Sequence, residues 1–426
     1  MTAQHDAAAS PVVGDRFEVE IGAVAHGGHC VARHNGQVIF VRHTLPGERV
    51  VVEVTSVGSG RRFLLADAVE VLTASPDRRE PPCPYSGPGG CGGCDWQHVT
   101  PQAQRHMKSQ VIAEAMLRQG GRDLEVDVEV VSGDQEGLGW RTRVTYSVNA
   151  EGNAGLLRHH SHDVVPIERC LLVTDAVDAV DVTRRRWPKT RSIAVVSTSM
   201  GESAVTVEPL PPAPVDRARL LDGIPESVAV VGVRGTGRLH ESVAGTEYTV
   251  AAGSFWQVHP GAPELLTRAV IETLEPRPGD HVVDLYAGVG LFAVALADVV
   301  GVGGRVEAVE SDPAACAAAR RTSHARPNVL IHQDKADHWL AARSIRRCDL
   351  VVLDPPESGA GPKVLERIVR LSPRRIAYVS CGPASLGRDV RLMSKLGWTL
   401  TSLRAFDMFP TTHHVECLAT FDPHHD

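Results

Sequence analysis

Two residues near the end of this chain have the types and settings for covalent chemistry. The apolar, β-rich run Ile376–Val379 stops abruptly at Ser380-Cys381-Gly382-Pro383. That is a buried strand ending in a turn, the place where open α/β sheets carry their reactive groups. Cys381 at such a turn is either core filler or a nucleophile. Thirty-odd residues on, Glu416 sits inside an otherwise apolar strand, Val415 to Phe421. A carboxylate there costs free energy unless it has a partner or a task, and partial burial raises its pKa into the range of a general base. A thiolate with such a base suits reactions that pass through a covalent adduct and later remove a proton. His413 and His414 are the rival bases.

The elements that position this pair follow from the pattern upstream. From about Gly279 strands and helices alternate: HVVDLYAGVG, a helix to Val300, RVEAVE, a helix from Pro313, NVLIHQD, another helix, then CDLVVLDPP. This predicts a doubly wound parallel sheet with its ligand at the carboxyl ends of the strands. One acid falls at each of four successive strand ends: Asp284, Glu310, Asp334 and Asp354. Asp284 leads a loop, D-L-Tyr286-A-Gly288-V-Gly290, whose glycines let backbone approach a ligand, and Glu310 is set to accept from both ribose hydroxyls of a nucleoside. An acid at the head of the loop suits the cationic methionine end of S-adenosylmethionine better than a pyrophosphate. Asp334 would then meet the adenine amino group, and Asp354, stiffened by Pro355 and Pro356, would face the same crevice as Cys381.

Cysteines are also clustered upstream, in CPYSGPGGCGGCDWQH. The first 15 residues lack a basic segment followed by an apolar one, so they do not read as a signal peptide, and the most apolar stretch, Val289 to Val302, is interrupted by Asp298 and too short to cross a bilayer. A cytoplasmic chain with no membrane partner is expected. In that compartment Cys83, Cys91 and Cys94 read as metal or iron-sulfur ligands rather than disulfides, with Cys170 as the natural fourth. Four thiolates suit tetrahedral zinc or a 4Fe-4S cluster, and spacing does not choose between them. Cys30, within a predicted strand, is expected to be core.

At 426 residues, 43% hydrophobic and 22% charged, the chain is a globular protein of two or three domains. Its net charge of −7 argues mildly against nucleic acid but leaves local basic faces open. Phe17 to Val71 alternates short valine-rich runs with turns such as HNGQ and LPGE, the pattern of a small OB-like β-barrel. It resembles a TRAM domain, an RNA-binding barrel, with Arg61, Arg62 and Phe63 as candidate contacts. Trp140, Arg141, Arg143, Arg158, His159 and His160 put aromatic and basic groups together, as a single-stranded RNA surface needs. Residues 183–250 carry no clear pattern. The expected fold is therefore α/β: a barrel at 11–73, a central β-rich domain with the cysteines at 74–250, and a Rossmann-like domain at 251–426.

The DPP turn is followed by Glu357 instead of an aromatic residue, and Cys381 lies one strand further on, which points away from amino groups toward methylation at carbon. Carbon 5 of uracil becomes nucleophilic only after a thiolate adds to carbon 6. With CPY, CGGC, QH, FWQV, DLYAGVG, DPP, YVSCGPA and FPTTHHVE in this order, the chain resembles the RNA uridine-5-methyltransferase family over nearly its full length. The resemblance implies S-adenosylmethionine as cofactor, Cys381 as nucleophile and Glu416 as base. Gln257, Tyr286, Glu310 and Asp354 would line the cofactor and uracil sites. It also implies a 4Fe-4S cluster rather than zinc on Cys83, Cys91, Cys94 and Cys170. The substrate would be structured RNA, with ribosomal RNA favoured over transfer RNA, and the protein a monomer. Glu357, Gly382 and His259 stand where the family has arginine, asparagine and asparagine, and the gap from Cys83 to Cys91 is two residues longer than usual.

Overall fold

A computed structural model describes residues 11–211, 221–342 and 345–424; the side chain of Arg61 and the expected tail at 1–10 lie outside the described residues. Strands β1 (Arg16–Glu20), β2 (Cys30–His34), β3 (Gln37–Arg42), β4 (Arg49–Val57) and β5 (Phe63–Thr73) form one sheet in the order β1-β4-β5-β3-β2. Alternate residues such as Val50, Val52 and Val54 point into a closed core that also contains Cys30. Three-residue β6 (Val128–Val130) belongs elsewhere. The central sheet, in the order β12-β11-β10-β7-β8-β9, comprises β7 (Arg143–Val148), β8 (Ala154–Leu157), β9 (Val164–Pro166), β10 (Thr190–Ser197), β11 (Ser203–Pro209) and β12 (Ala229–Val230). The unpatterned residues 183–250 thus supply β10 to β12 and the hairpin β13 (Arg238–Val243) to β14 (Thr246–Ala251).

The largest sheet contains β15 (His281–Leu285), β16 (Arg305–Glu310), β17 (Val329–Gln333), β18 (Leu350–Leu353), β19 (Arg375–Ser380), β20 (Trp398–Asp407) and β21 (Glu416–Pro423). Its order is β17-β16-β15-β18-β19-β21-β20-β6, parallel from β17 to β19, with β21 antiparallel to both neighbours. Both faces are covered, so the strands read as continuous apolar runs. Along β18, Val352 faces one core and Val351 and Leu353 the other. The sheet is the predicted doubly wound α/β fold.

β6 comes from the segment between the cysteines and the central sheet, and pairs in parallel with β20. The helix before it, Pro101–Ala115, explains why. Ala103, Met107 and Val111, spaced four apart, enter the barrel core, while Lys108, Ile112 and Met116 lie one position round the helix, and Ile112 and Met116 enter the second core of the large sheet. Where this segment crosses the Pro383–Lys395 helix, a Cβ on Gly387 would stand 2.8 Å from the Ala115 carbonyl oxygen, so glycine is what permits the contact. Lys108, fully buried, donates to Asp407 Oδ1 at 2.6 Å and to the Phe409 carbonyl at 2.9 Å.

Removing one partner of a buried pair leaves the other charge unpaired. Lys108→Ala is therefore expected to cost about 3 to 5 kcal/mol, read as a lower urea midpoint, whereas Lys108→Met with Asp407→Leu is expected to recover most of it.

Candidate active site

Parity along the strands gathers the site. Val282, Ala308, Val352, Val379 and Leu418 all face the first core. Two residues on from each, along the chain or back along antiparallel β21, stand Asp284, Glu310, Asp354, Cys381 and Glu416. All five fall on one face at the carboxyl ends of the parallel strands. The pairing of Ser380 with Cys417 carries the decisive consequence: one step further along the ladder, Cys381 stands opposite Glu416. The two sequence-predicted catalytic residues are neighbours across β19 and β21.

Their environment holds protons. Glu416 is 4% exposed, its Oε1 makes no hydrogen bond among the described residues, and burial, reinforced by the charge of Asp354, pushes its pKa well above the usual carboxylate range. Asp354 keeps part of its surface open to the crevice, yet burial of its carboxyl raises its pKa to about 7. Cys381 is half-buried, and burial followed by the charges of Glu416, Asp354 and Glu357 pushes its thiol up to about 12. In the opposite sense, the Pro383–Lys395 helix begins just after Cys381, and its N-terminus favours a thiolate.

The glycine loop turns at Tyr286, whose φ of +62° is unusual for an aromatic residue, and again at Gly288 and Gly290, at +55° and +87°. Nothing lies within 4 Å of where a Gly288 Cβ would be. Glu310 accepts from the backbone N–H of Gly288 at 2.9 Å, of Ser311 at 2.6 Å and of Asp312 at 2.7 Å. Tyr286, Glu310 and Asp334 line a cleft of about 510 Å³ whose far wall is Pro356 and Ala360 to Val364. Asp334 is bonded to His338 Nδ1, which holds its pKa below the usual value. Asp284 lies deeper: it is fully buried, among the described residues neither carboxylate oxygen has a hydrogen bond of good geometry, and burial, with the charges of Asp354 and Glu310, outweighs the nearby Ala293 N–H and raises its pKa strongly. Gln257 is buried in the loop after β14, flanked by buried Trp256 and exposed Phe255. His259 is core, stacked on Trp140 at 6.0 Å, and burial lowers its pKa to about 4.

Trp140 is fully buried and Arg143 donates inward to the Ser254 carbonyl, so neither belongs to an RNA-facing surface; Arg158 and His160 remain exposed. The aromatic–basic alternation in that stretch records a β-strand's inner face as much as its outer one. The sequence reading also missed how far the barrel reaches. Asp95, next to Cys94, accepts from His413 Nδ1 at 2.7 Å and faces Arg42 at 3.7 Å. Burial raises its pKa, but the bonds from His413 and the charges of His413 and Arg42 outweigh it, to about 2. His413 follows Thr411, a buried β-branched residue at φ +65° whose carbonyl accepts from Asp95 and Trp96. Such strain concentrates at functional sites.

Three family models match the chain: the TRAM domain at 12–69, the methyltransferase small domain at 263–378 and the tRNA (uracil-5-)-methyltransferase at 342–421. An uncharacterized RNA methyltransferase of Streptomyces avermitilis is 47% identical over 96% of this chain and 99% of its own length. One of Corynebacterium efficiens is 32% identical over 96% and 95%. The chain belongs to the RNA uridine-5-methyltransferase family. In fold it is similar to the Pyrococcus abyssi tRNA (uracil-54, C5)-methyltransferase, solved with S-adenosyl-L-homocysteine, at 22% identity and a TM-score of 0.70 over 95% of this chain and 99% of the other.

Cys83, Cys91, Cys94 and Cys170 line one small, partly open cavity together with Arg141 and Arg169. Gly93 N–H points at Cys91 Sγ at 3.4 Å and Gln97 Nε2 at Cys94 Sγ at 3.2 Å. Burial raises the thiol pKa values of Cys83, Cys91 and Cys94, the last to about 12. Among the described residues no group of three or more His, Cys, Asp or Glu is arranged to hold a metal ion. Cys30 lies apart, its thiol aimed at the Thr44 carbonyl within the barrel core.

A thiol held near 12 is deprotonated only as pH rises toward that value, so alkylation of Cys381 by iodoacetamide in the free protein is expected to accelerate steadily from pH 7 to beyond 10. Mass spectrometry of the Cys381 peptide reads this; a plateau near pH 8 would contradict the electrostatics described.

Proposed function

We propose that this chain is a cytoplasmic, S-adenosylmethionine-dependent enzyme that forms 5-methyluridine in structured RNA through a covalent bond between Cys381 and carbon 6 of the target uracil. The carrying observation is the ladder register that sets Cys381 opposite Glu416. Addition of the Cys381 sulfur to carbon 6 makes carbon 5 a nucleophile toward the methyl group, which the cofactor supplies. The carbon-5 proton then passes to the Glu416 carboxylate, and the electron pair it leaves restores the carbon 5–carbon 6 double bond as the thiolate departs. Tyr286, Glu310 and Asp334, which share one cleft, would hold the nucleoside part of the cofactor, with Gly288 and Gly290 leaving room for its approach. Asp284, Asp354 and Gln257 would act from beneath and beside it. The target base would be turned out of its stack to reach Cys381.

Large-subunit ribosomal RNA is the favoured substrate, on the combination of barrel and four-cysteine segment; the Pyrococcus protein's action on transfer RNA supports the second reading. The four cysteines would hold a 4Fe-4S cluster. They line one cavity, N–H donors aim at two of the sulfurs, and two arginines offset the charge of a four-thiolate cluster. Tetrahedral zinc on the same four thiolates, with each sulfur about 2.3 Å away, is the second reading.

Incubated with S-adenosylmethionine and total RNA containing 5-fluorouridine, the protein is expected to form an adduct stable on a denaturing gel, because fluorine is not removed as a proton is. Cys381→Ala should form none. With ordinary RNA, Glu416→Gln should accumulate the adduct that wild type resolves, and release by both alike would remove Glu416 as the base. Cys91→Ser is expected to lose the brown cluster absorbance and much of the protein's stability; a colourless, iron-free wild type of normal stability would refute the cluster.

A further inference from the structure

Three polar side chains from three distant parts of the chain lie within electrostatic reach of one another beside Cys381. Glu357 comes from the turn after β18, His26 from the barrel loop before β2, and His414 from the turn before β21. All three residues reach solvent, although burial of the rings lowers the pKa of His26 and, to about 4, that of His414, and among the described residues none of the three side chains has a hydrogen bond or ion pair within the protein. They are nonetheless close. The charge of Glu357 acts on His26, on His414 and on the Cys381 thiol. The His26 ring meets His413 edge-on at 5.9 Å, and His413 lies 4.2 Å from His414.

The Glu357 turn and the His26 loop are also held from behind. Ser385 Oγ bonds the Glu357 carbonyl at 2.6 Å, and a Cβ on Gly382 would come within 2.7 Å of that carbonyl oxygen, so the turn rests directly on the residue after Cys381. Buried Asp389 fixes the far end of the turn by accepting from Ala360 N–H at 2.9 Å and Tyr378 Oη at 2.7 Å. The barrel loop is pinned because a Cβ on Gly28 would meet Asp95 at 2.7 Å, and Trp96 Nε1 donates to the Gly28 carbonyl at 3.1 Å. Rigid backbone presenting unpaired polar groups beside a nucleophile is a preorganised recognition surface.

We infer that Glu357, His26 and His414 form a subsite for the nucleotide next to the target uridine, and that Glu357 selects a base presenting an exocyclic amino group. This rests on the uridine reading given above. A carboxylate accepts but does not donate, so it pairs with the amino group of cytosine, adenine or guanine and not with uracil, which has none. The imidazoles offer flat faces against which such a base stacks. The barrel thereby reaches the substrate within one nucleotide of the chemistry.

The test uses a random-sequence RNA pool transcribed with 5-fluorouridine, full-length protein and S-adenosylmethionine. Adducts are isolated on denaturing gels and mapped by where reverse transcription stops. Wild type is expected to show one position adjacent to the adduct at which amino-bearing bases exceed uridine by roughly tenfold, the effect of one good base contact. Glu357→Gln and Glu357→Arg should keep forming adducts but lose that preference. His26→Ala should raise the RNA concentration needed for half-maximal trapping while leaving the single-turnover rate at saturation unchanged. Identical sequence contexts in wild type and both Glu357 variants would overturn the subsite and leave the uridine chemistry standing. Loss of adduct in Glu357→Gln with S-adenosylhomocysteine binding intact would assign Glu357 to the chemistry and overturn base selection. No adduct with any protein, wild type included, would remove the uridine reading and the subsite with it.

Discussion

The structure depends on the antiparallel entry of β21 between β19 and β20. Because side chains alternate, a slip of one residue would turn Cys417 toward the crevice and bury Glu416 in the second core. Cys417, Ala419 and Phe421 face that core while Leu418 faces the first, so both sides resist the slip. Arg375, which bonds Asp422 at 2.7 Å, fixes the far end of the ladder. Cys381 and Glu416 are thus positioned by the register of a core strand rather than by a flexible loop.

That arrangement concentrates acids. Asp284, Glu310, Asp354 and Glu416 share one face, and Glu357 guards its mouth. In the free protein the crevice answers by retaining protons, on Glu416, on Asp284 and on the Cys381 thiol, since separate negative charges in low dielectric are costly. A cation bound among these groups reverses the balance. An unusually acidic crevice and a methyl donor carrying positive charge are complementary, and the same charge that seats the cofactor favours ionisation of Cys381 and Glu416 beside it.

Much of this was legible because the chemistry lies in short segments, where a strand and the turn after it can be read together: Cys381 after Ile376–Val379, Glu310 closing RVEAVE, Asp354 before two prolines. The doubly wound sheet followed from alternation over long stretches. What escaped reading was non-local. Three-residue β6 has too little sequence to announce its place at the edge of a sheet built nearly 300 residues later. Trp140 and Arg143 looked like a binding surface because composition does not say which face of a strand is outward. The two stripes of the Pro101–Ala115 helix serve two different cores, which reads in sequence as weak amphipathicity.

Asp95 shows why the three parts of the chain work as one site. It touches the barrel through Gly28 and Arg42, the β20–β21 turn through His413 and Thr411, and it follows Cys94 directly. Its carboxylate, held ionised by those partners, is the point through which the cysteine loop sets the turn that carries His413, His414 and then Glu416. Whatever fixes the four cysteines therefore also fixes Glu416. A staple of this kind has to sit at the junction, and its sequence distance from Cys381 conceals how near in the fold it acts.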